Sequence, residues 1–262
     1  MLRDVASGHT RFEELVAEAG ISRKVLTQRL SALVADGILD RRAYSDRPPR
    51  HEYLLTDLGR AALPVLGALQ EFGDTWLLGD GRPSAGADEH SNEALRVRSL
   101  VGEAIPRLAA LDPVTPHPFT VVYCYPGNAF PGADEIPGGV GCTLESCTYR
   151  DRLGELAELG AGVVGVSTQR PGEQAAFAAA NDIRFPLVSD ADLELTTALR
   201  LPTFRAGGTT RLKRQTLVVD RDRVVRATLF PIPDVTGSVG DAIEIVRALR
   251  HEGDGDAASA RG

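Results

Sequence analysis

Long apolar runs are missing from this 262-residue chain, and so is any excess of positive charge: 29 Lys and Arg stand against 36 Asp and Glu. No stretch approaches the length a membrane-crossing helix needs, and the start, MLRDVASGHTRF, is charged and lacks the apolar core of a secretory signal. The expectation is a cytoplasmic protein with no membrane partner. The formal net charge of −7 argues against any global attraction to nucleic acid and leaves room only for local patches. Cysteine is scarce, with three residues, and the five histidines (His9, His51, His90, His117, His251) are scattered without metal-ligand spacing. No metal and no cofactor are therefore expected. Three thiols without a secretory signal point to a reducing compartment, where a close pair is more often catalytic or sensory than a structural staple.

What is present centres on Gly139–Asp151, GVGCTLESCTYRD, where Cys142 and Cys147 lie five residues apart. A β-branched apolar run, Phe119–Tyr125, reads as a buried strand, and a Gly/Pro-rich loop, Pro126–Gly141, follows it. Tyr149, Leu153 and Leu156 then recur at helical spacing. A thiol at a strand–loop–helix junction faces unpaired backbone N–H groups and the positive end of the helix dipole, both of which favour the thiolate. The alternative is two small buried residues that happen to be cysteine. A zinc site is disfavoured, because two thiols without a nearby Cys or His pair cannot close a tetrahedron. If both cysteines sit on one helix, residues i and i+5 are separated by about 7.5 Å of rise, or roughly 8–9 Å between Cα atoms. A disulfide needs less than about 7 Å, so joining them requires unwinding the first turns.

The length suffices for two domains. In the first third, Phe12, Leu15 and Val16 mark a short helix ending near Gly20, Ser22 is a natural N-cap, and Leu26, Leu30 and Leu33 repeat at i, i+4 and i+7 before Gly37. The opposite face shows Arg23, Lys24, Thr27, Gln28, Arg29 and Ser31. Strands over Ile38–Tyr44 and His51–Thr56 flank the tip Ser45–Arg50, which carries Arg47 and Arg50. Within residues 21–50 the basic residues Arg23, Lys24, Arg29, Arg41, Arg42, Arg47 and Arg50 outnumber Asp36, Asp40 and Asp46. A helix-turn-helix with a basic hairpin suits double-stranded DNA, the helix in the major groove and the hairpin arginines on the backbone or minor groove; a merely solvated basic surface is the alternative. A helix over Asp57–Leu78, bent at Pro64, carries Leu58, Val65, Leu66, Leu69, Phe72 and Trp76, more apolar surface than so small a domain needs.

This stretch resembles the HxlR family of winged-helix regulators. The resemblance rests on SGHTRFEEL (Ser7–Leu15), GISRKVLTQRLSALVADGIL (Gly20–Leu39) and YSDRPPRHEYLLTDLGRAALPVL (Tyr44–Leu66). It implies a DNA-binding homodimer that regulates transcription. The first helix is shorter than the family's, which places dimerisation on the last helix or the true start before Met1.

Gly79–Ala94 (GDGRPSAGADEHSNEA) has no apolar periodicity and reads as a flexible linker. Residues 95–251 alternate strand-like and helix-like stretches: strands at Phe119–Tyr125, Ala161–Ser167 and Arg184–Val188, helices at Cys142–Leu159, Gly172–Asn181 and Ala191–Leu199. A hairpin of Arg211–Asp220 with Arg223–Phe230 and a helix at Ser238–Arg250 complete the order, which fits a thioredoxin-like sheet. Residues 252–262 read as a disordered tail.

The second domain resembles the peroxiredoxins, nearest the peroxiredoxin Q (bacterioferritin comigratory protein) type. The matching stretches are VGEAIP (Val101–Pro106), VVYCYP (Val121–Pro126), GCTLESCTYRD (Gly141–Asp151), GVVGVST (Gly162–Thr168), FPLVSD (Phe185–Asp190), LPTF (Leu201–Phe204) and KRQTLVVD (Lys213–Asp220). The fold class is thus two domains, an α+β winged helix-turn-helix over 1–78 and an α/β thioredoxin-like (peroxiredoxin) fold over 95–251. The resemblance implies a peroxidatic thiol at Cys142, a resolving thiol at Cys147, and Arg214 as the arginine that stabilises thiolate and peroxide. It also implies a peroxide substrate and a thioredoxin-like reductant. Two positions depart from the family pattern: the threonine three residues before the reactive cysteine is Gly139, and the proline four residues before that is Glu135. Cys124, inside an apolar strand, is expected in the core.

The resulting expectation is a redox-responsive DNA-binding regulator carrying a thiol-peroxidase domain. Its competitors are a thioredoxin-dependent peroxidase whose winged helix only dimerises or localises it, and a plain repressor with an inactive redoxin domain.

Overall fold

A computed structural model describes residues 1–128 and 130–259, with side chains as far as Glu252. The N-terminal domain opens with α1 (Leu2–Ala6) and α2 (Phe12–Ala19), which stops at Gly20 in the left-handed conformation. Ser22 then caps α3 (Arg23–Ala35), its hydroxyl accepting the Val25 N–H. A two-stranded wing follows, β1 (Leu39–Asp46) antiparallel to β2 (Pro49–Leu55). Val5, Leu15, Leu26, Leu30 and Leu39 form the small core. The wing base is fixed by Thr56, whose hydroxyl donates to Gly37 O at 2.6 Å and accepts from Gly59 N at 3.0 Å. Gly59 is required there, since a Cβ would meet Ile38 O at 2.2 Å.

The helix expected over Asp57–Leu78 is in three pieces: α4 (Asp57–Ala61), α5 (Leu63–Phe72) and a π-helical turn, Gly73–Leu77. Pro64 has no N–H to continue the first piece and sits instead in the opening turn of the second.

The C-terminal domain begins with α6 (Asn92–Arg98) and is built on the sheet order β5-β4-β3-β8-β9. Its strands are β3 (Phe119–Cys124), β4 (Ala161–Ser167), β5 (Leu187–Ser189), β8 (Gln215–Asp220) and β9 (Val225–Leu229). The first three run parallel, and β8 is antiparallel to both β3 and β9. Alternate residues feed two apolar layers. Val122, Cys124, Val164, Val166, Leu217 and Val219 face α6 and α10 (Glu194–Leu199). Val121, Tyr123, Val163 and Val218 face α7 (Cys142–Asp151), α8 (Leu153–Glu158), α9 (Pro171–Ala180) and α11 (Gly237–Ser259). Covering both faces explains why β3 reads as an unbroken apolar run. Cys124 is fully buried in the first layer, as expected.

Several boundaries differ from those read in the sequence. The helix expected over Cys142–Leu159 breaks at Arg152, whose φ of −105° leaves the helical range. The strand expected from Arg211 is interrupted at Lys213–Arg214, and its first part pairs backward, as β7 (Thr209–Leu212) with β6 (Thr203–Ala206). Of the tail expected over 252–262, residues 252–259 continue α11 and 260–262 lie outside the described residues.

Residues 79–94 are not a free linker. Ala85 is 2% exposed and packs with Phe130, Phe204 and Ala206, and its N–H donates to Pro137 O at 2.9 Å. The last residues of the segment already belong to α6. The two domains also touch directly. Thr197 Oγ1 donates to Leu63 O at 3.3 Å, Gln70 Nε2 to Leu201 O at 3.1 Å, and Arg96 pairs with Asp74 at 2.6 Å.

Candidate active site and nucleic-acid interface

The chain leaves β3, crosses the loop, and turns at Gly141 (φ +104°) into α7, whose first residue is Cys142. α7 is held to the sheet by stacked tyrosines: Tyr123 lies 5.5 Å from Tyr125 and 4.6 Å from Tyr149, and its hydroxyl donates to Ser146 Oγ at 3.0 Å. Arg214, just before β8 and so beside β3, reaches under the start of α7. Its Nη2 lies 3.5 Å from Cys142 Sγ and donates to Val140 O at 3.0 Å, and its Nη1 is ion-paired with Glu145. Cys142 and Arg214 are each 3% exposed and Glu145 is fully buried.

The electrostatics correct the expectation drawn from the helix dipole. Burial pushes the Cys142 thiol up and the Glu145 carboxylate adds to this, while the Arg214 guanidinium and the Gly127 N–H pull the other way without reversing it. The same burial lifts Glu145 to about 7 despite its guanidinium partner, and that carboxylate holds Arg214 above its ordinary value. Cys142 is thus a shielded thiol with its thiolate-stabilising groups in place.

Glu145 was not singled out in the sequence. The available signal was its spacing: position i+3 from Cys142 shares the same helix face. Cys147 lies on the same helix as Cys142 and does not meet it, in keeping with the separation expected for residues five apart on one intact helix. It is half-buried, with Sγ 4.0 Å from Asn181 Oδ1, and both thiols are free. Gly139 fills its position for a steric reason, because a Cβ there would stand 2.3 Å from Ala133 O.

In the N-terminal domain Arg23, Lys24, Thr27, Gln28, Arg29 and Ser31 are all exposed on α3, and Arg47 and Arg50 are exposed at the wing tip. Two are engaged locally. Arg23 binds Glu13 through both nitrogens (2.7 and 2.6 Å) and lies over the Phe12 ring, and Thr27 Oγ1 donates to Arg23 O. Thr27 and Arg50 line one groove between helix and wing, together with Arg11 and Arg41. Arg11, stacked on Tyr44 at 4.9 Å, was not read from the sequence.

A buried cysteine opening a helix against a strand-borne arginine, on a mixed five-stranded sheet, defines a thioredoxin-fold thiol site, here joined to a winged helix. Residues 118–228 match the AhpC/TSA family and residues 1–80 the HxlR-like helix-turn-helix family. A Mycobacterium tuberculosis protein named as a peroxiredoxin is 32% identical over 130 residues, 50% of this chain and 79% of that one. A Mycobacterium bovis protein named as an HTH-type transcriptional regulator is 42% identical over 77 residues, 29% of this chain and 49% of that one. The crystal structure of peroxidoxin BcpB from M. tuberculosis has 30% identity and a TM-score of 0.42, covering 50% of this chain and 79% of that chain. The first curated relatives are spanned over about half their length or less, 44% for a further M. tuberculosis protein named as a peroxiredoxin. The chain belongs to the peroxiredoxins through its C-terminal domain and carries an HxlR-type helix-turn-helix at its N-terminus.

Proposed function

We propose that this protein is a peroxide-responsive DNA-binding regulator that senses with a thiol-peroxidase site. The observation that carries the reading is the Cys142–Arg214 contact at the start of α7, in the same chain as an exposed basic helix and wing. The Cys142 thiolate attacks one peroxide oxygen, an S–O bond forms and the O–O bond breaks. The sulfur loses two electrons, and the departing oxygen leaves as alkoxide beside Arg214 and takes a proton. The Cys147 thiol then attacks the sulfenic sulfur, an S–S bond forms, and water leaves. A thioredoxin-like dithiol restores both thiols by exchange. Because the cysteines stand five residues apart on α7, the disulfide requires its first turns to unwind, and this shape change is what a sensor needs.

Double-stranded DNA is met by Arg23, Lys24, Thr27, Gln28, Arg29 and Ser31 of α3 and by Arg47 and Arg50 of the wing. The working form is a homodimer, supported by the exposed apolar row Val65, Leu69, Phe72 and Trp76. No helix among the described residues is long and apolar enough to cross a membrane.

The test is an anisotropy titration on the promoter DNA beside the protein's own gene, comparing reduced and peroxide-treated protein with Cys142→Ser and Cys147→Ser. Affinity should change on oxidation in the wild type and in neither variant. A change within about twofold, a coupling under roughly 0.4 kcal/mol, overturns the regulator reading. The raised Cys142 thiol and the steric exclusion of a threonine at Gly139 favour one competitor, a repressor whose redoxin domain does not turn over. Peroxide consumption with a dithiol reductant separates the two.

A further inference from the structure

The segment that joins the two domains is seated on the loop that leads into Cys142. Ala85 is buried against Phe130, Ala133 and Ile136, and its N–H donates to Pro137 O at 2.9 Å. Backbone meets backbone one residue on, where a Cβ on Gly138 would stand 3.2 Å from Gly86 N. Ser84 braces the turn, its hydroxyl accepting the Gly86 N–H at 3.1 Å.

A second tie runs through Lys213, the neighbour of Arg214. Its ammonium donates to Gly86 O at 3.1 Å and to Glu93 at 2.6 Å. Glu93 shares α6 with Arg96, which holds Asp74 in the π-helical turn of the winged-helix domain at 2.6 Å. The strap's hydrogen-bond partners outside its own segment thus include Pro137, on the loop before Cys142, and Lys213, beside Arg214, while Phe204 and Ala206 complete its apolar seat.

Residues 133–141 and the first turn of α7 are one continuous stretch of chain. Gly139 N–H donates to Ile136 O and Glu145 N–H to Gly141 O, while Arg214 grips Val140 O. Pulling Cys142 out of the helix toward Cys147 must drag Pro137 and Gly138 with it. We propose that Ser84–Gly86 form a strap whose seat on residues 133–138 exists only while the first turn of α7 is folded, so that closing the Cys142–Cys147 disulfide unseats it and frees the tether to the DNA-binding domain. This rests on the disulfide of the proposed function. From Leu78 to Ala85 the chain can span roughly 25 Å at most when extended, so an occupied seat holds the winged helix on a short lead. Linkage makes the effect reciprocal: if the disulfide unseats the strap, unseating the strap must favour the disulfide.

The experiment is hydrogen exchange by mass spectrometry on the full chain in three states: reduced, treated with one equivalent of hydrogen peroxide, and the Cys147→Ser variant treated likewise. Amides of residues 84–87 should exchange about tenfold faster in the disulfide form and stay at the reduced rate in Cys147→Ser, where oxidation stops before the helix unwinds. In the reciprocal arm, Ala85→Asp should shift the dithiol–disulfide equilibrium against a glutathione buffer about tenfold toward the disulfide, roughly 30 mV. Ala85→Gly, which keeps the N–H donor, should give a smaller shift of the same sign. A disulfide confirmed by mass with unchanged exchange at 84–87, or an Ala85→Asp equilibrium identical to wild type, overturns the strap alone. Absence of the disulfide overturns the sensor reading together with it.

Discussion

Cys142 feels two buried neighbours with opposite effects, and substituting either should move its reactivity in opposite directions. Arg214→Met removes the guanidinium 3.5 Å from the sulfur. The fold should tolerate this, because Glu145, already pushed up to about 7, can accept a proton and lose its charge. Alkylation of Cys142 by iodoacetamide at pH 7, followed by peptide mapping, should then slow by on the order of tenfold, the equivalent of one pKa unit. Glu145→Gln removes the carboxylate that raises the thiol and should speed the same reaction; a slower Glu145→Gln variant would show that the carboxylate matters chiefly for positioning Arg214. Glu145 also sets a pH dependence of stability. Its folded-state value lies above the ordinary 4.5, so the native state holds the proton more tightly than the unfolded chain. That contribution is complete below about pH 4.5 and is lost as pH rises through 7. Asp190, buried and raised from 3.8 to about 6 by desolvation, acts in the same sense over a lower window. Thermal melts of reduced protein should therefore show a midpoint falling between pH 5 and 8, with the upper part of the fall absent in Glu145→Gln.

The loop 133–141 departs from the family pattern as an element, which a single substitution cannot repair. A threonine at Gly139 restores the family residue, yet its Cβ would meet Ala133 O at 2.3 Å and nothing flexible can give way. Gly139→Thr should lower stability by about 2 kcal/mol or more in denaturant titrations and should not raise peroxide turnover. On α3, Arg23 is tied to Glu13 through both nitrogens, so part of the expected phosphate contact is masked. Glu13→Ala should steepen the salt dependence of DNA binding by about one unit of log–log slope, while Arg50→Ala should flatten it by a similar amount. Local patterns carried much of this into the sequence. The β-branched run at Phe119–Tyr125, a strand as far as Cys124, the Ser22 cap and the leucine spacing of α3 are each decided by neighbours in the chain, and Ala161–Ser167 is a strand at the limits its composition marks. What stayed hidden depends on distant partners. The Gly- and Ser-rich composition of residues 79–94 signals freedom, and only the apolar seat offered by Phe130 and Phe204 converts Ala85 into an anchor. The net rise of the Cys142 thiol was equally unreadable, because desolvation by the folded surroundings outweighs the helix terminus that the sequence advertises.

Across the whole molecule, the winged-helix domain has its two sides committed differently. One side of α5 lies on the redoxin domain, with Gly67 close enough to Leu193 that a Cβ would stand 3.1 Å away. The other side shows Val65, Leu69, Phe72 and Trp76 at 60, 64, 52 and 61% exposure, a row of large apolar residues left mostly open among the described residues. A monomer in water rarely leaves such a row open, and an isologous pair would bury it against itself while placing two recognition helices on one face of DNA. Specific dimers bury about 800 Å² per partner, which a helix of this length with its π-helical extension and α4 can supply. Leu69→Glu sets a charge in the middle of the row, at a side chain that is largely exposed and lies outside the core and the thiol site. Sedimentation velocity should then give a monomer, DNA affinity should fall by at least tenfold because one half-site is lost, and the Cys142 alkylation rate should stay within about twofold of wild type. A Leu69→Glu protein that remains dimeric would move the interface elsewhere. A monomer with unchanged DNA affinity would mean that each chain reads its site alone.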